Sequence, residues 1–166
     1  LKGASEAGAQ VEKVVLSTLK VAPCNSCYHC SRTGECLLHD DMDQLYPKLQ
    51  AADAVILASP IYFRGVTAQS KAVIDRCLVL WALLYDLKRP WRKKGNRPKG
   101  LLLSVAGDKG PIEFRGALLE ARIFFRALGA RWEPPLLFGG ANSMDDLLKT
   151  HPLALETAKE AGARLA

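Results

Sequence analysis

Four of the chain's five cysteines fall inside thirteen positions of "PCNSCYHCSRTGEC", residues 23 to 36: Cys24, Cys27, Cys30 and Cys36. Their spacing is C-x2-C-x2-C-x5-C. Four thiolates supply negative charge and soft sulfur, a donor set suited to iron or zinc. Tetrahedral zinc sites usually draw ligands as two separated pairs. Three thiols at a repeating three-residue interval instead match the start of an iron–sulfur ligand run, which winds around a cubane cluster. The fourth interval departs from that pattern, and no proline follows Cys36; Gly34, with Ser31, Arg32 and Thr33, gives the last interval freedom to return. His29 and His39 flank the run and would join a zinc variant of the site, although a lone histidine more often has a surface or capping role. No signal peptide is recognisable at the start, so a reducing cytoplasm is expected, and disulfides are disfavoured there. Iron–sulfur ligation, zinc, a metal-free loop and disulfide chemistry all stay open at this point, with the spacing favouring the first.

A second set of candidates follows two apolar segments. "SPIYFRG", residues 59–65, brings Tyr62 and Phe63 to a rim where an aromatic can cover a flat ring. "AGDKG", residues 106–110, carries Gly107 and Gly110, which let backbone amides approach a ligand closely. A planar, polar cofactor held largely by backbone suits this pair. The plain alternative is two tight turns whose Tyr and Phe lid the core.

The elements that must position these residues alternate. Lys13–Leu19 is rich in β-branched residues and reads as a strand. A helix capped by Asp40 or Asp41 carries Met42, Leu45, Tyr46 and Leu49 on one face, with Pro47 expected to kink or shorten it. Residues 54–59, "AVILAS", look like a strand buried on both faces, as in parallel sheets. A helix from Thr67 to about Leu84 should bury Val73, Ile74, Cys77, Leu78 and Trp81, making Cys77 a small buried hydrophobe and not a ligand. "GLLLSVAG" is a further buried strand, and "FRGALLEARIFFRALGA" a helix closed by Gly129. "RWEPPLLFGG" reads as an edge strand because of Pro134 and Pro135. "HPLALETAKEAGARLA" is a last helix with Pro152 in its first turn. Strands alternating with helices predict a doubly wound α/β domain over residues 1–166, with a cysteine-rich loop at 23–39 after the first visible strand. In such sheets ligands bind outside the carboxyl ends of the strands, which is where both candidate loops fall.

The chain opens with "LKGASEAGAQ", the end of a helix by pattern. We expect roughly 10–20 further residues upstream, enough for one short strand and its turn.

Apolar residues make up 49% and charged residues 24% of the 166, which marks a folded globular domain. No run reaches the length of a membrane span. The net charge of +6 is local: "KRPWRKKGNRPKG", residues 88–100, holds seven basic residues and no acid. Such a run is either a solvated connection or a contact for an anion. Only Trp91 is aromatic there and no nucleic-acid motif surrounds it, so a nucleic-acid partner is not expected.

A clustered-cysteine loop leading into "DDM", a strand ending "ASPIYF", and then "VTAQSKAVIDR" together resemble the flavodoxin-like NADPH-dependent FMN reductases. The compact four-cysteine loop resembles the iron–sulfur flavoprotein subgroup. The resemblance implies a parallel five-stranded sheet in the order 2-1-3-4-5 and non-covalent FMN. It places the flavin against Pro60, Ile61, Tyr62 and Phe63, and against Ala106, Gly107, Asp108 and Gly110. It makes Cys24, Cys27, Cys30 and Cys36 the ligands of a [4Fe–4S] cluster. It further implies a homodimer or homotetramer, with a cluster near a flavin across the subunit interface. The family's phosphate-binding turn, of the type G-S-P-R, has no counterpart in these residues and belongs to the expected upstream segment.

The function expected on this basis is electron transfer from NAD(P)H through FMN to an acceptor (a quinone, a flavin or a redox protein), one electron at a time where the cluster takes part. No side chain is called on as a nucleophile; the protein positions cofactors and tunes potentials. Arg32 and the basic run, with Lys93 and Lys94, are candidates for attracting an anionic donor. Rival expectations are an FMN-dependent NAD(P)H:quinone or flavin reductase without a cluster, and a non-enzymatic electron carrier or redox sensor.

Overall fold

Two apolar segments lie side by side as parallel strands β1 (Ala54–Pro60) and β2 (Lys99–Ala106) in the computed structural model, which describes residues 1–91, 95 and 97–166. Their register runs from Ala54 opposite Lys99 to Pro60 opposite Val105. The other edge of β2 takes two short parallel strands, β3 (Arg131–Trp132) near its start and β4 (Leu136–Gly139) near its end. Pro134 and Pro135 fall between them, and a proline cannot donate to a ladder. The edge position expected for this segment is therefore met, but in two pieces. β2 is central and buried along most of its length. β1 differs from expectation: Ala58 and Pro60 are exposed while Leu57 and Ser59 are buried, so its last residues alternate.

Helices cover both faces. On one side Leu57 and Leu102 join Met42 and Leu45 of α3 (Met42–Ala51), Val73 of α4 (Ala68–Arg76), and Phe124 and Phe125 of α6 (Arg115–Ala127). On the other, Leu101 and Ile56 meet Ala161 and Leu165 of α8 (Ala154–Leu165). The opening helix α1 (Lys2–Glu6) packs on α8 at Gly3 and Gly162, where a Cβ on Gly3 would collide with the Lys159 carbonyl. The result is a doubly wound three-layer arrangement as expected, with four parallel strands among the described residues where the resemblance implied five.

Several local expectations are corrected. Lys13–Leu19 is not a strand. β-propensity alone makes no strand without a ladder partner; here the backbone closes a 3-10 turn at Leu16–Thr18, with the Thr18 amide and hydroxyl both donating to the Val15 carbonyl. Leu16, Leu19 and Val21 still pack against the core. The cysteine loop thus follows an irregular segment and not a strand. α3 runs through Pro47 to Ala51. The long helix starts as expected, the Ser70 amide donating to Thr67 Oγ1, but breaks at Cys77. The Cys77 amide is shared between the Val73 and Ile74 carbonyls. Beyond it, α5 (Leu78–Trp81) passes into a π turn over Ala82–Asp86. This rotation buries Val79 and Leu80, leaving Trp81 half-buried against Tyr85 and the Arg126 guanidinium. Cys77 is fully buried, as expected.

α6 ends in a Schellman motif. Gly129 (φ 65°) donates to the Arg126 carbonyl and Ala130 to that of Phe125. α7 (Met144–Thr150), capped by Ser143, was not anticipated, and Pro152 lies just ahead of α8 rather than inside it. In the basic run, Lys93 and Lys94 lie outside the described residues. Of the others, Arg97 donates to the Gly129 and Ala130 carbonyls, and Lys99 to the Arg164 and Leu165 carbonyls at the end of α8, where a cation suits the helix dipole. Trp91 packs against the main core. Among the described residues, no helix is long and apolar enough to cross a membrane.

Candidate functional site

The loops after β1 and β2 lie next to each other because the strands do: the Ile61 amide donates to the Val105 carbonyl at 2.9 Å. Beyond Ile61 the chain reverses in a two-residue turn, in which Tyr62 and Gly65 exchange backbone bonds of 3.1 and 3.0 Å. Phe63 (φ 50°) and Arg64 (φ 64°) both occupy the left-handed region, uncommon for such side chains. Neighbours hold that conformation in place. The Arg64 carbonyl accepts from the Ala117 amide of α6, Gly116 leaves no room for a Cβ there, and Glu120 Oε2 accepts from the Val66 amide. Tyr62 and Phe63 are exposed, Phe63 fully, so neither lids the core.

The second loop is built differently. Ala106 is buried, whereas Gly107, Asp108 and Gly110 (φ 114°) are exposed. A Cβ on Gly107 would meet the Asn142 side chain. The Asp108 carbonyl accepts from Gly140, and that of Ala106 from Ala141, which ties the loop to the end of β4. Below both loops, Ser104 Oγ donates to the Ser59 carbonyl at 2.6 Å, and Ser59 Oγ accepts from the Thr67 amide. The start of α4 is thereby fixed to the end of β1.

The cysteine loop lies at the far end of α4, roughly 14 Å away for nine residues at 1.5 Å each. Asn25 Oδ1 accepts from the Cys27 amide; Ser26 (φ 57°) and Tyr28 (φ 55°) turn left-handed. One helical turn, α2 (Cys30–Thr33), is ended by Gly34 (φ 84°), which packs on Leu83. Cys24, Cys27, Cys30 and Cys36 all line a single cavity, and all are free thiols. Cys27 is exposed and Cys30 buried against Val79 and Ala82. Among the described residues, no three Cys, His, Asp or Glu side chains converge at metal-ligating distances. The donor set is gathered but not closed. Burial pushes the Cys30 thiol up, and the neighbouring Cys36 and Cys24 add to this, as expected where thiolates would repel without a cation between them. His39 is turned toward Asp43, at 3.2 Å.

One functional candidate escaped the sequence reading. Arg76, the last residue of α4, is 1% exposed and lines the cysteine cavity. It donates through Nη1 to Asp40 (2.6 Å) and the Ala22 carbonyl (3.0 Å), and through Nη2 to the Leu38 carbonyl (2.9 Å). Burial pushes the Asp40 carboxyl up, but the bonds from Arg76, Ala22 and Met42 outweigh this and hold it below the usual carboxylate range. The signal was present: an arginine three residues after Val73 and one before Cys77 stands on the apolar face of its helix.

The profile of the NADPH-dependent FMN reductase family matches residues 1–131. Two proteins called iron–sulfur flavoprotein are each 37% identical over 109 residues, one from Archaeoglobus fulgidus and one from Methanosarcina thermophila. Those matches cover 66% of this chain and 52% and 53% of the relatives; the chain spans about half the length of the curated relatives it matches. An FMN-dependent NADH:quinone oxidoreductase from Opitutus terrae is 33% identical over 84 residues, 49% of this chain and 39% of that protein. Among solved structures, an azoreductase from Bacillus anthracis superposes with TM-score 0.68 at 19% identity, covering 98% of this chain and 86% of that one. An NAD(P)H:quinone oxidoreductase from Methanothermobacter marburgensis does so with TM-score 0.67 at 20% identity, covering 99% and 84%. At such identities the superpositions speak to the fold, which is flavodoxin-like.

Proposed function

Because the chain belongs to the NADPH-dependent FMN reductase family, we propose that it is a redox flavoprotein drawing electrons from NAD(P)H through FMN and passing them on by way of a [4Fe–4S] cluster. The observation that carries the cluster is that all four clustered thiols line one cavity. Relatives called iron–sulfur flavoprotein add support.

In this reading Pro60 and Ile61 place backbone at the carboxyl end of β1, and Tyr62 and Phe63 offer exposed aromatic faces to a flat ring. Ala106, Gly107, Asp108 and Gly110 bring backbone amides to its other side. Cys24, Cys27, Cys30 and Cys36 hold the cluster. FMN held between these loops would supply hydride-accepting chemistry toward NAD(P)H, and a cluster held by the four cysteines would supply one-electron chemistry. The protein's own task is placement: the turn pinned to α6 fixes the aromatic rings, the Gly107 and Gly110 positions permit close approach, and burial around Cys30 shapes the setting of the sulfurs. β1, β2 and the β3–β4 pair take the third, fourth and fifth places of a 2-1-3-4-5 order, which agrees with β1 having a ladder partner on one side only among the described residues. Assembly as a homodimer or homotetramer is supported by exposed Ile112, Leu119 and Ile123 beside and along α6. Five free thiols suit a cytoplasmic location. The acceptor is a quinone, a flavin or a redox protein.

One observation favours a second reading, an FMN-dependent NAD(P)H:quinone or flavin reductase without a cluster: no three thiols converge at ligating distance among the described residues. Cys27→Ser separates the two in anaerobically purified protein assayed for iron, acid-labile sulfide and FMN. The cluster reading expects iron and sulfide to drop at least severalfold with FMN retained. No iron or sulfide in either protein supports the second reading, whereas equal iron and sulfide in both would show a cluster that Cys27 does not hold.

A further inference from the structure

The segments that enter and leave the cysteine loop are joined to each other. The Lys20 amide donates to Asp41 Oδ2 (2.7 Å), the Asp41 amide to the Lys20 carbonyl (3.2 Å), and the Ala22 amide to Asp40 Oδ2 (2.9 Å). All four clustered cysteines lie within the ring closed in this way. Arg76 reaches that ring from α4 and spans its neck, bonding the Ala22 carbonyl on the incoming side with the Leu38 carbonyl and Asp40 on the outgoing side. Its side chain is wholly buried, and Tyr46 Oη donates to its carbonyl. One guanidinium nitrogen makes no hydrogen bond at all. Nε of Arg76 is buried without a hydrogen-bond partner, on a residue that lines the cavity shared by the four thiols.

A buried donor left unsatisfied keeps the full penalty of its lost hydration, and more so on a charged group. A guanidinium so placed is completed by an anionic, soft acceptor in that cavity, which is what thiolate and sulfide sulfur would be. A cation and a donor beside an iron–sulfur centre stabilise its more reduced, more negative state and raise its potential.

We propose that Arg76 is the positioning residue of the cysteine loop: it clamps the neck of the ring, and its Nε donates to the sulfur of the group the cysteines hold. The electrostatic half of this inference rests on the cluster reading; the clamp half does not. Asp40 is the partner that keeps Arg76 aligned.

The test uses full-length, anaerobically purified protein, wild type beside Arg76→Lys and Arg76→Gln. Three quantities are read: iron and sulfide per chain, the midpoint potential of the cluster from a titration followed by electron paramagnetic resonance, and the rate of tryptic cleavage at Arg32 in iron-free protein. Cleavage is expected to be at least several times faster in both variants. The potential is expected to move to more negative values in the glutamine variant and to be partly restored in the lysine variant. A wild-type potential in both, with wild-type cleavage, overturns the proposal. Should the variants fail to fold, wild-type protein labelled with nitrogen-15 arginine decides. The Nε–H resonance of Arg76 should shift or broaden when the cluster is loaded, and an unmoved resonance overturns the electrostatic half. An iron-free wild type defeats the cluster reading and that half together, while the cleavage rates still decide the clamp.

Discussion

Cys77 and Cys30 are both buried, yet their surroundings divide them. Cys77 lies in the main core, where burial pushes its thiol up to about 12, so it stays protonated near neutral pH. Cys30 shares its cavity with three other thiols. Iodoacetamide on native iron-free protein should therefore modify exposed Cys27 first and leave Cys77 untouched until the chain unfolds, as mass spectrometry can follow; early labelling of Cys77 would contradict its core placement. Asp40 gives a pH dependence. Its folded value lies below the unfolded one of about 3.9, so its contribution is complete above that value and is lost as pH falls through the folded value. Asp40→Asn, which leaves the Arg76 charge without its partner, should cost about 3–5 kcal/mol in urea unfolding at pH 7, and the loss should narrow on acidification. A variant as stable as wild type would mean that the pair is not the neck of the loop. Phe63 has no packing duty, so Phe63→Ala should leave stability within about 0.5 kcal/mol while weakening FMN binding in a fluorescence titration. Unchanged FMN affinity would remove Phe63 from the flavin site.

At the scale of elements, α4 links the two candidate sites: Thr67 at its start is tied to β1, and Arg76 at its end clamps the cysteine loop. Thr67→Ala should cost about 1 kcal/mol through loss of the cap. Gly116→Ala acts elsewhere, pressing a methyl into the Arg64 carbonyl. It should lower FMN affinity more than it lowers the melting temperature; the reverse order would show that the turn is not held by α6. The elements carried by strong periodicity or long apolar runs were legible in the sequence: β1, β2, α3, α6, α8 and the Thr67 cap. The positions of both candidate loops follow from strand ends alone. The Lys13–Leu19 segment misled because β-branched composition cannot say whether a ladder partner is present. The break at Cys77 escaped because an apolar face continues through it, and α7 because "SMDDLL" is too short to show a period. The Arg76–Asp40 pair joins residues 36 apart, which no local pattern encodes.

For the molecule as a whole, the doubly wound sheet sets the carboxyl ends of β1 and β2 side by side, with the cysteine loop one helix length away. That separation within one chain fits a cluster that meets a flavin across a subunit interface. Ile112, Leu119 and Ile123, on and beside α6, are exposed, and the proposed assembly would have them to bury. The chain spans about half the length of the curated relatives it matches, and the decisive measurement is a spectroscopic one. That measurement is the absorption spectrum of anaerobically purified full-length protein before and after dithionite. The account predicts flavin bands riding on a broad visible shoulder, both of which bleach on reduction. Flavin bands with no shoulder would contradict it and leave an FMN reductase whose four clustered thiols hold no cluster.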